Sequence, residues 1–409
     1  MPSLAPRLVN PASTACGFAA SIPPTTAVIV STGLITPLGS TAAQTWDALL
    51  AGRYITDHAR VEVEACNGEP RVIALARHAV ARASSPCLGR ETPVVFDAKA
   101  QTRRGSPCRS IDPHRTALVV GTSKGPIESW LNSPPNQRGG LRLEGLSQIA
   151  AVLAHELDIR GPRLTISAAC ASGLIALIRA ALLIRAGEAD RVLVVAAEAS
   201  VHPLFIGSFQ RLGILPKPGI GCRPFDENRD GFLMSESAAA VWLERADLSP
   251  STSSEPAPRI ALDHFAMGAD STHLTGMDPD AVVLRRVIRQ AIGNQPLDLI
   301  HAHGTGTTLN DPAELAAIEE AVKSHPRLPA IYSHKAALGH SLGASGLVSI
   351  VLNCHSHATG LIPPNLRTAC PIPSDRLTIE QSTVARPVTR SLAIAAGFGG
   401  AIAAVTLAS

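Results

Sequence analysis

The residue with the clearest chemical potential is Cys170, in the stretch LTISAACASGL over residues 164–174. Thr165 and Ile166 favour an extended chain, and the small residues after them allow a sharp turn into a long apolar helix that is predicted to run to about Arg185. At the end of a strand and the start of a helix, unpaired amides and the helix dipole favour a thiolate, which attacks carbonyl carbon. An inert buried cysteine is the alternative, because free cysteine is among the most often buried residue types.

Two further stretches combine histidines with glycine-rich turns after apolar runs. One, HAHGTGTTLNDPAE, covers residues 301–314, and the other, KAALGHSLGASG, covers residues 335–346. Glycines let a ligand approach the backbone closely, and loops at strand ends commonly carry function. If the preceding strands share a sheet, His303, His340 and Lys335 line one cleft. A zinc site competes with this interpretation but lacks a third ligand at suitable spacing, and an ordinary hydrogen-bonded histidine is another alternative.

The elements that must position these groups alternate as strands and helices along the whole chain. Short apolar runs rich in β-branched residues predict strands, and longer apolar patterns predict helices. Predicted strands cover residues 26–30, 116–120, 164–166, 191–197, 237–243, 260–267, 297–302, 330–333, 391–396 and 401–407. Predicted helices cover residues 41–51, 72–82, 146–157, 171–185, 280–292, 312–322 and 342–355.

A local echo indicates that the chain contains a duplication. The letters ASGL open the helix after Cys170, at residues 171–174, and recur after His340, at residues 344–347. Four common residues are weak evidence alone, but their matching place before long apolar helices adds weight. The sequence therefore predicts a loose N-terminal extension over 1–25, a first half over 26–255 with Cys170, and a second half over 256–409 with His303 and His340.

Composition limits the class of protein. The chain has 409 residues, of which 45% are hydrophobic, 17% charged and 3% aromatic, so it is globular and large enough for two domains or one duplicated unit. A net charge of +3 is too small to argue for nucleic acid. Eight cysteines without a CxxC pair suggest reduced thiols and a cytoplasmic protein. We expect no membrane insertion, because the most apolar helix is interrupted by Arg179 and is shorter than the roughly 20 residues required.

Six motifs in order resemble those of the beta-ketoacyl-acyl carrier protein synthases, the condensing enzymes of the thiolase fold, and are closest to the elongating fatty-acid type II enzymes. The likeness covers residues 26 to 407, and Cys170 precedes His303 by 133 residues and His340 by 170, as in that family. The resemblance implies an α/β, thiolase-like fold of five αβαβα layers with two pseudo-duplicated halves. The motifs are TGxxxPLG at 32–39, ACASG at 169–173, RPFDxxRDGF at 223–232, AHGTxT at 302–307, KxxxGHxxGAxG at 335–346 and GFGG at 397–400.

The same resemblance implies a mechanism. Cys170 would accept an acyl group from the phosphopantetheine thiol of an acyl carrier protein and form a thioester. His303 and His340 would assist decarboxylation of malonyl-carrier protein as neutral imidazoles that donate hydrogen bonds to the enolate oxygen. Lys335, paired with Glu314, would set the electrostatics of the site.

Supporting roles are carried over in the same way. The amides of Cys170 and Phe398 would form an oxyanion hole, and Phe398 would gate an acyl pocket lined by Phe209. Helix capping near Pro312 is the alternative for Glu314 and the preferred interpretation for Asp311. The residues expected to contact the pantetheine arm and the substrate are Thr305, Thr307, Gly399 and Gly400.

The family comparison also implies partners and leaves the pathway open. We expect an acyl carrier protein as partner, a homodimer, and no metal or prosthetic group. Arg53, Arg103 and Arg104 are candidates for a basic surface. Gly306 in AHGTGT suits a polyketide or specialised-lipid ketosynthase, while the free-standing length suits fatty-acid biosynthesis. A non-elongating partner subunit and a degradative thiolase are further alternatives, against which the intact Cys170 and the GFGG turn respectively argue.

Overall fold

Strands and helices alternate through nearly all of the chain that the structure, a computed structural model, describes: residue 23 and residues 25–65, 69–83, 112–132, 145–248, 259–276 and 278–409. The strands are β1 (Ala27–Ile35), β2 (Thr116–Gly121), β3 (Arg163–Ile166), β4 (Arg191–Glu198), β5 (Ser237–Arg245), β6 (Ile260–Ala269), β7 (Leu299–His301), β8 (Ala330–Tyr332), β9 (Leu361–Ile362), β10 (Val384–Ala385), β11 (Arg390–Ala396) and β12 (Ala401–Ala408). The helices are α1 (Ala42–Leu50), α2 (Arg71–Arg82), α3 (Ile127–Asn132), α4 (Gln148–Glu156), α5 (Ser172–Arg185), α6 (Pro203–Arg211), α7 (Val282–Ile292), α8 (Asn310–Val322), α9 (Lys335–Leu338) and α10 (Ser345–Thr359).

The main sheet contains the same arrangement of five strands twice. Its order is β3-β2-β4-β5-β1-β6-β12-β11-β7-β8. In the first half, β2 runs parallel to β3 and β4, whereas β5 is antiparallel to β4 and β1. In the second half, β7 runs parallel to β8 and β11, whereas β12 is antiparallel to β11 and β6. The pairing of β1 with β6 joins the two units, so the predicted duplication is present in the topology.

The three largest apolar cores lie between the five layers of helices and sheet, because the central core packs the middle helices against both halves of the sheet. Because successive side chains of a strand point to opposite faces, Val192 and Val194 of β4 enter the central core while Leu193 and Val195 enter an outer one. The central core packs α5 and α10 between the two halves of the sheet. One outer core covers the first half with α2 and α4, and the other covers the second half with α7 and α8. The predicted αβαβα layering is confirmed.

The two ASGL stretches meet at the centre of the molecule. A Cβ added to Gly173 would lie 2.9 Å from the backbone nitrogen of Leu347, and one added to Gly346 would lie 2.8 Å from Cγ of Leu174. Gly173 therefore packs against Leu347, and Gly346 packs against Leu174. The echo in the sequence marks the reciprocal close approach of α5 and α10.

The predicted strands and helices are confirmed, with end points that differ by a few residues, and the helix expected to be central is α5. The sequence reasoning missed α3, α6 and α9, of which α6 has a readable start because Pro203 occupies its first turn after the N-cap His202. Arg103, Arg104, most of the 1–25 extension and the boundary between residues 255 and 256 lie outside the described residues, so the domain limits stay predictions. Among the described helices, none is both long and apolar enough to cross a bilayer.

Candidate active site

The chain turns sharply between β3 and α5 and presents Cys170 at the bend. Ala169 adopts a φ of +47°, which is unfavourable for a residue with a Cβ. The hydroxyl of Ser172 accepts a hydrogen bond from the Ala168 amide at 2.9 Å and donates one to the Ala169 carbonyl at 2.6 Å. Gly397 lies so close behind that an added Cβ would be 2.8 Å from the Ala168 oxygen. The bend is therefore held in a strained conformation by its neighbours.

The imidazole of His340 faces the sulfur of Cys170. Its Nε2 lies 3.2 Å from Sγ. The backbone of His340 is held on both sides, because its amide donates to the Leu233 carbonyl at 2.7 Å and its carbonyl accepts from the Ser235 amide at 3.1 Å. Ser235 and Ser237 are both buried, so the segment that supports the histidine lies in the interior.

His303 completes a compact group with its ring 5.5 Å from that of His340. Glu314 of α8 accepts hydrogen bonds from the His303 amide at 2.6 Å and the Gly304 amide at 2.8 Å. Lys335 donates from Nζ to the His303 carbonyl oxygen. Among the ion pairs of the described residues, none joins Lys335 and Glu314 directly. They bind the carbonyl and the amide of His303, and their charges attract each other, so the expected pairing is electrostatic.

Burial sets the protonation of the nucleophile. It raises the pKa of the Cys170 thiol to about 11, against the opposing positive charges of Lys335 and Lys124. Burial therefore favours the protonated thiol, against the effect of the helix start, which favours the thiolate. Nε2 of His340 is the ring atom within reach of that proton.

Burial also governs the groups around the sulfur. It lowers the pKa of His303 and of His340 well below the ordinary value, and the charge of Lys335 lowers both further, so both rings are neutral. Burial lowers the pKa of Lys335 to about 8, although Glu314 opposes this effect. Burial raises the pKa of Glu314 to about 7, against the hydrogen bond from the Gly304 amide. The site thus presents neutral imidazoles beside one ionisable pair.

Asp311 is a buried tie between two loops. Its carboxylate accepts hydrogen bonds from the Phe225 amide at 2.7 Å, the Thr305 amide at 3.0 Å and the Gly306 amide at 3.0 Å. The N-cap of α8 is Leu309, which has no side-chain cap. The preferred interpretation of Asp311 as a helix cap is therefore wrong, because its carboxylate oxygens accept hydrogen bonds from backbone amides in the loops of residues 223–232 and 302–307.

One cavity of about 340 Å³ contains most of the predicted site residues: Cys170, His303, Thr305, Thr307, Phe209, His340 and Phe398. The rings of Phe209 and Phe398 meet edge to face at 6.2 Å, and the hydroxyls of Thr305 and Thr307 lie 2.9 Å apart.

The substrate-binding role expected for Gly399 and Gly400 is not supported by their position. The cavity wall includes Gly397 and Phe398 but neither of these two glycines. A Cβ on Gly400 would lie 1.6 Å from the Asp270 oxygen, and its φ is +81°. Gly400 is therefore required for the tight turn between β11 and β12, and this turn places Phe398 in the cavity wall.

Sequence reasoning missed the wall formed by the GTSKG turn after β2. Ser123 and Lys124 line the cavity. Beneath them, the buried Glu198 accepts hydrogen bonds from the Ser123 amide at 2.8 Å and from the Ser200 hydroxyl at 2.6 Å. The signal that could have revealed this wall was a loop with one lysine and two hydroxyl residues directly after a buried strand.

A chain of buried polar side chains behind the site was also missed. His301 bonds through Nε2 to Nδ1 of His334 at 2.8 Å, and through Nδ1 to Asn353 at 2.9 Å. The Asn353 amide donates to Ser391 at 3.2 Å. His301 ends β7 and His334 precedes α9, so this bond ties the two segments that carry His303 and Lys335. Within the part of the chain that the structure describes, no group of three or more His, Cys, Asp or Glu is arranged to hold a metal ion.

Comparisons with known proteins agree with this geometry. The family model "Beta-ketoacyl synthase, N-terminal domain" matches residues 94–248, and "Beta-ketoacyl synthase, C-terminal domain" matches residues 261–369. The ketoacyl synthase alpha subunit of the tetracenomycin polyketide synthase of Streptomyces glaucescens is 29% identical over 93% of this chain and 96% of its own length. The 3-oxoacyl-(acyl-carrier-protein) synthase 2 of Mycobacterium leprae is 31% identical over 66% of this chain and 68% of its own length.

A solved structure confirms the fold. It contains the ketosynthase of a type II polyketide synthase with its acyl-carrier protein, and the matched chain superimposes with a TM-score of 0.79 at 22% identity, covering 94% of this chain and 99% of the other. The two family models together span most of the chain and include Cys170, His303 and His340. The protein therefore belongs to the beta-ketoacyl synthase family and is a decarboxylating, condensing acyltransferase.

Proposed function

We propose that Cys170 is the nucleophile of this condensing enzyme and that His340 takes its proton. Sγ attacks the carbonyl carbon of an acyl thioester, the thiol proton passes to Nε2 of His340, and the carrier thiol leaves with a proton as the new thioester forms. The observation that carries this proposal is the 3.2 Å separation of Sγ and Nε2 in the wall of a cavity that also contains His303.

The amides of Cys170 and Phe398 form the oxyanion hole in this proposal. Neither amide donates to another protein group among the hydrogen bonds of the described residues. Gly397 precedes Phe398 and packs against the Cys170 amide, so closely that an added Cβ would lie 3.0 Å from that nitrogen. Two free amides on adjoining turns are the arrangement that stabilises an oxyanion.

Decarboxylation follows on the opposite wall. Malonyl-carrier protein enters the emptied cavity, the bond to its carboxylate breaks and carbon dioxide leaves with the carbon atom. The electron pair of that bond forms an enolate, whose oxygen accepts hydrogen bonds from the neutral rings of His303 and His340. For this step His340 is in the tautomer that carries its proton on Nε2, whereas in loading Nε2 is the acceptor. The enolate carbon then attacks the acyl carbonyl carbon and forms the new carbon-carbon bond. The Cys170 sulfur leaves as a thiolate and takes up one proton from solvent, because the malonyl carboxylate departed as neutral carbon dioxide.

The remaining residues would guide the substrate. The hydroxyls of Thr305 and Thr307 are positioned in the cavity wall to bond the amides of a pantetheine arm. Phe398 is 36% exposed and its ring meets that of Phe209 edge to face, so a movement of Phe398 would open the acyl pocket. Lys335 and Glu314 would fix the His303 backbone while the charge distribution changes.

The partners and setting of the protein are part of the same proposal. The similar solved structure holds a ketosynthase together with its acyl-carrier protein, and we extend that kind of partner to this chain. We also propose a homodimer, a cytoplasmic location and no cofactor other than the pantetheine that the carrier brings. Sedimentation of the purified protein with and without an acyl-carrier protein tests the assembly.

The pathway has two candidates. The first is fatty-acid biosynthesis, supported by the similar 3-oxoacyl-(acyl-carrier-protein) synthases 2. The second is a polyketide or specialised-lipid pathway, favoured by the similar polyketide ketosynthases and by Gly306, whose φ of +73° places its amide on Asp311. The acyl chains that load Cys170 distinguish them.

The proposal is tested by mass spectrometry of the intact protein after incubation with acyl-carrier thioesters. We expect one acyl adduct, located on Cys170 by peptide mapping, and condensation when malonyl-carrier protein is added. Cys170→Ala is expected to abolish both. Full condensation by Cys170→Ala would refute the assignment of the nucleophile, and absence of any adduct on the unchanged protein would favour a non-elongating partner subunit.

A further inference from the structure

The cavity around Cys170 contains a lysine that the proposed reaction does not use. Lys124 follows β2 in the turn of residues 121–125 and lines the same cavity as Cys170, Phe209 and Phe398. A lysine in the wall of an acyl pocket is unexpected, because an ammonium loses hydration when an apolar chain covers it. Its presence calls for a chemical reason.

The ammonium of Lys124 lies beside the phenylalanines of α6, which would line the acyl pocket in the proposed function. Its Nζ is 5.5 Å from the centre of the Phe205 ring, and Phe205 is on α6, the helix that also carries Phe209. Phe205 and Phe209 pack in the apolar cluster that includes the Cys170 side chain. In the proposed function the pantetheine arm lies instead against Thr305 and Thr307, in another part of the cavity wall.

The ammonium of Lys124 makes no direct ion pair with the carboxylate of Glu198, although the two charges attract each other. Glu198 instead accepts hydrogen bonds from the Ser123 amide and hydroxyl, at 2.8 and 2.7 Å, and from the Ser200 hydroxyl at 2.6 Å. Among the ion pairs of the described residues, none includes Lys124. The ring of Phe205 is the contact that the structure gives its ammonium, and a cation over an aromatic ring retains its capacity to donate hydrogen bonds.

We propose that Lys124 is a specificity-determining residue that selects acyl groups carrying an acceptor oxygen, a carboxylate or a keto group, several bonds beyond the thioester carbonyl. A saturated chain in this pocket desolvates the ammonium without replacing its hydrogen bonds, whereas an oxygen-bearing chain supplies an acceptor in a partly dry site. The inference rests on the proposed loading of Cys170 and adds the chemical class of the acyl group.

The test compares loading rates for thioesters of equal chain length on one carrier protein. Three thioesters with six-carbon chains are compared. Hexanoyl has no additional oxygen, 5-carboxypentanoyl ends in a carboxylate, and 5-oxohexanoyl carries a keto oxygen four bonds beyond the thioester carbonyl. Formation of the adduct on Cys170 is followed by intact-protein mass spectrometry. The variants are Lys124→Met, which keeps the length and removes the charge, Lys124→Arg, which keeps the charge, and Lys323→Met, an exposed control at the end of α8.

We expect the unchanged protein and Lys323→Met to load at least one oxygen-bearing chain about tenfold faster than hexanoyl, a difference worth one strong hydrogen bond or ion pair. Lys124→Met should bring that ratio close to one or reverse it, and Lys124→Arg should retain most of it. The two oxygen-bearing chains show whether Lys124 selects a carboxylate or a keto oxygen. A preference for the carboxylate that weakens with salt indicates an ion pair, and a salt-independent preference for the keto chain indicates a neutral acceptor.

The outcomes separate this inference from the proposed function. Loading of Cys170 with no preference for oxygen, or with the same preference in Lys124→Met, overturns the role of Lys124 and leaves the nucleophile in place. Absence of any adduct on Cys170 with all three thioesters contradicts the proposed function itself. Thermal unfolding and hexanoyl loading of Lys124→Met show whether that variant is folded, and Lys124→Arg provides an independent second test.

Discussion

The two walls of the cavity are built in different ways. The wall with Cys170 is local, because the strained Ala169 is held by the hydroxyl of Ser172, only three residues later. The wall with His303 depends on distant segments, with Glu314 from α8 on one side and Lys335 from α9 on the other. The comparison teaches that one wall stores backbone strain to expose a nucleophile, whereas the other uses buried charges to hold a histidine still.

The sharpest test of the comparison is His303→Ala. In the proposed mechanism, loading requires the Cys170 wall and His340, whereas decarboxylation requires the donor from His303. We expect loading to persist and decarboxylation of malonyl-carrier protein to fall by about 10²- to 10⁴-fold, the usual contribution of a positioned proton donor or acceptor. Carbon dioxide release and adduct formation are measured separately, with the exposed His155→Ala as control. Equal loss of both steps would mean that the two walls do not act independently.

A large effect on stability is expected from Asp311→Asn. The amide nitrogen of asparagine cannot accept the hydrogen bonds that Asp311 receives from the Phe225, Thr305 and Gly306 amides. A buried donor left without an acceptor costs about 1–3 kcal/mol, so we expect a loss of about 2–4 kcal/mol in the free energy of unfolding. Denaturant titration measures it, with exposed Asp375→Asn as control. A change below about 0.5 kcal/mol would show that the loops hold without this tie.

The pH dependence of stability tests the charges behind His303. The pKa of Glu314 is raised by burial to about 7, from an ordinary 4.5, so between these values the folded protein binds more protons than the unfolded chain. The contribution of Glu314 to stability is therefore fully present below about pH 4.5 and is lost as the pH rises through about 7. Glu314→Gln should remove this slope while lowering stability by about 1–3 kcal/mol, because one amide loses its acceptor.

Urea titrations of both proteins across pH 4.5 to 7 give the slope, and the exposed Glu188→Gln supplies the control for loss of one carboxylate. An identical slope in the unchanged protein and Glu314→Gln would show that another group is responsible. No comparable effect is expected from residues of the Cys170 bend, which carries no buried carboxylate of its own.

The smallest effect is expected from Ser172→Ala in the local wall. The substitution removes the acceptor of the Ala168 amide and the donor to the Ala169 carbonyl. We expect a loss of about 1–2 kcal/mol in the free energy of unfolding and slower loading of Cys170, with decarboxylation less affected. The exposed Ser324→Ala is the matched control. Unchanged loading would mean that the packing of Gly397, and not the hydroxyl, holds the bend.

Much of the fold was readable because its signals are local. Apolar runs such as residues 191–197 and 401–407 predicted β4 and β12, and the ASGL echo predicted a duplication that the strand order repeats. The short helix α9 was missed because a single turn has no periodicity to detect. Cys170 and His303 were readable as candidates because each lies within four residues of the end of its strand, whereas His340 follows α9 and was readable from the glycine-rich stretch around it.

The sequence by itself determined the order of the elements and indicated Cys170, His303 and His340 as candidate site residues, since these depend on residues close together along the chain. Only the tertiary structure decided that Lys335 binds the His303 carbonyl and that Asp311 ties two loops. It also placed Lys124 in the cavity with Cys170. The physical reason is that burial and hydrogen-bond partners are set by segments far apart in sequence, and these set the protonation of a thiol, a lysine or a carboxylate.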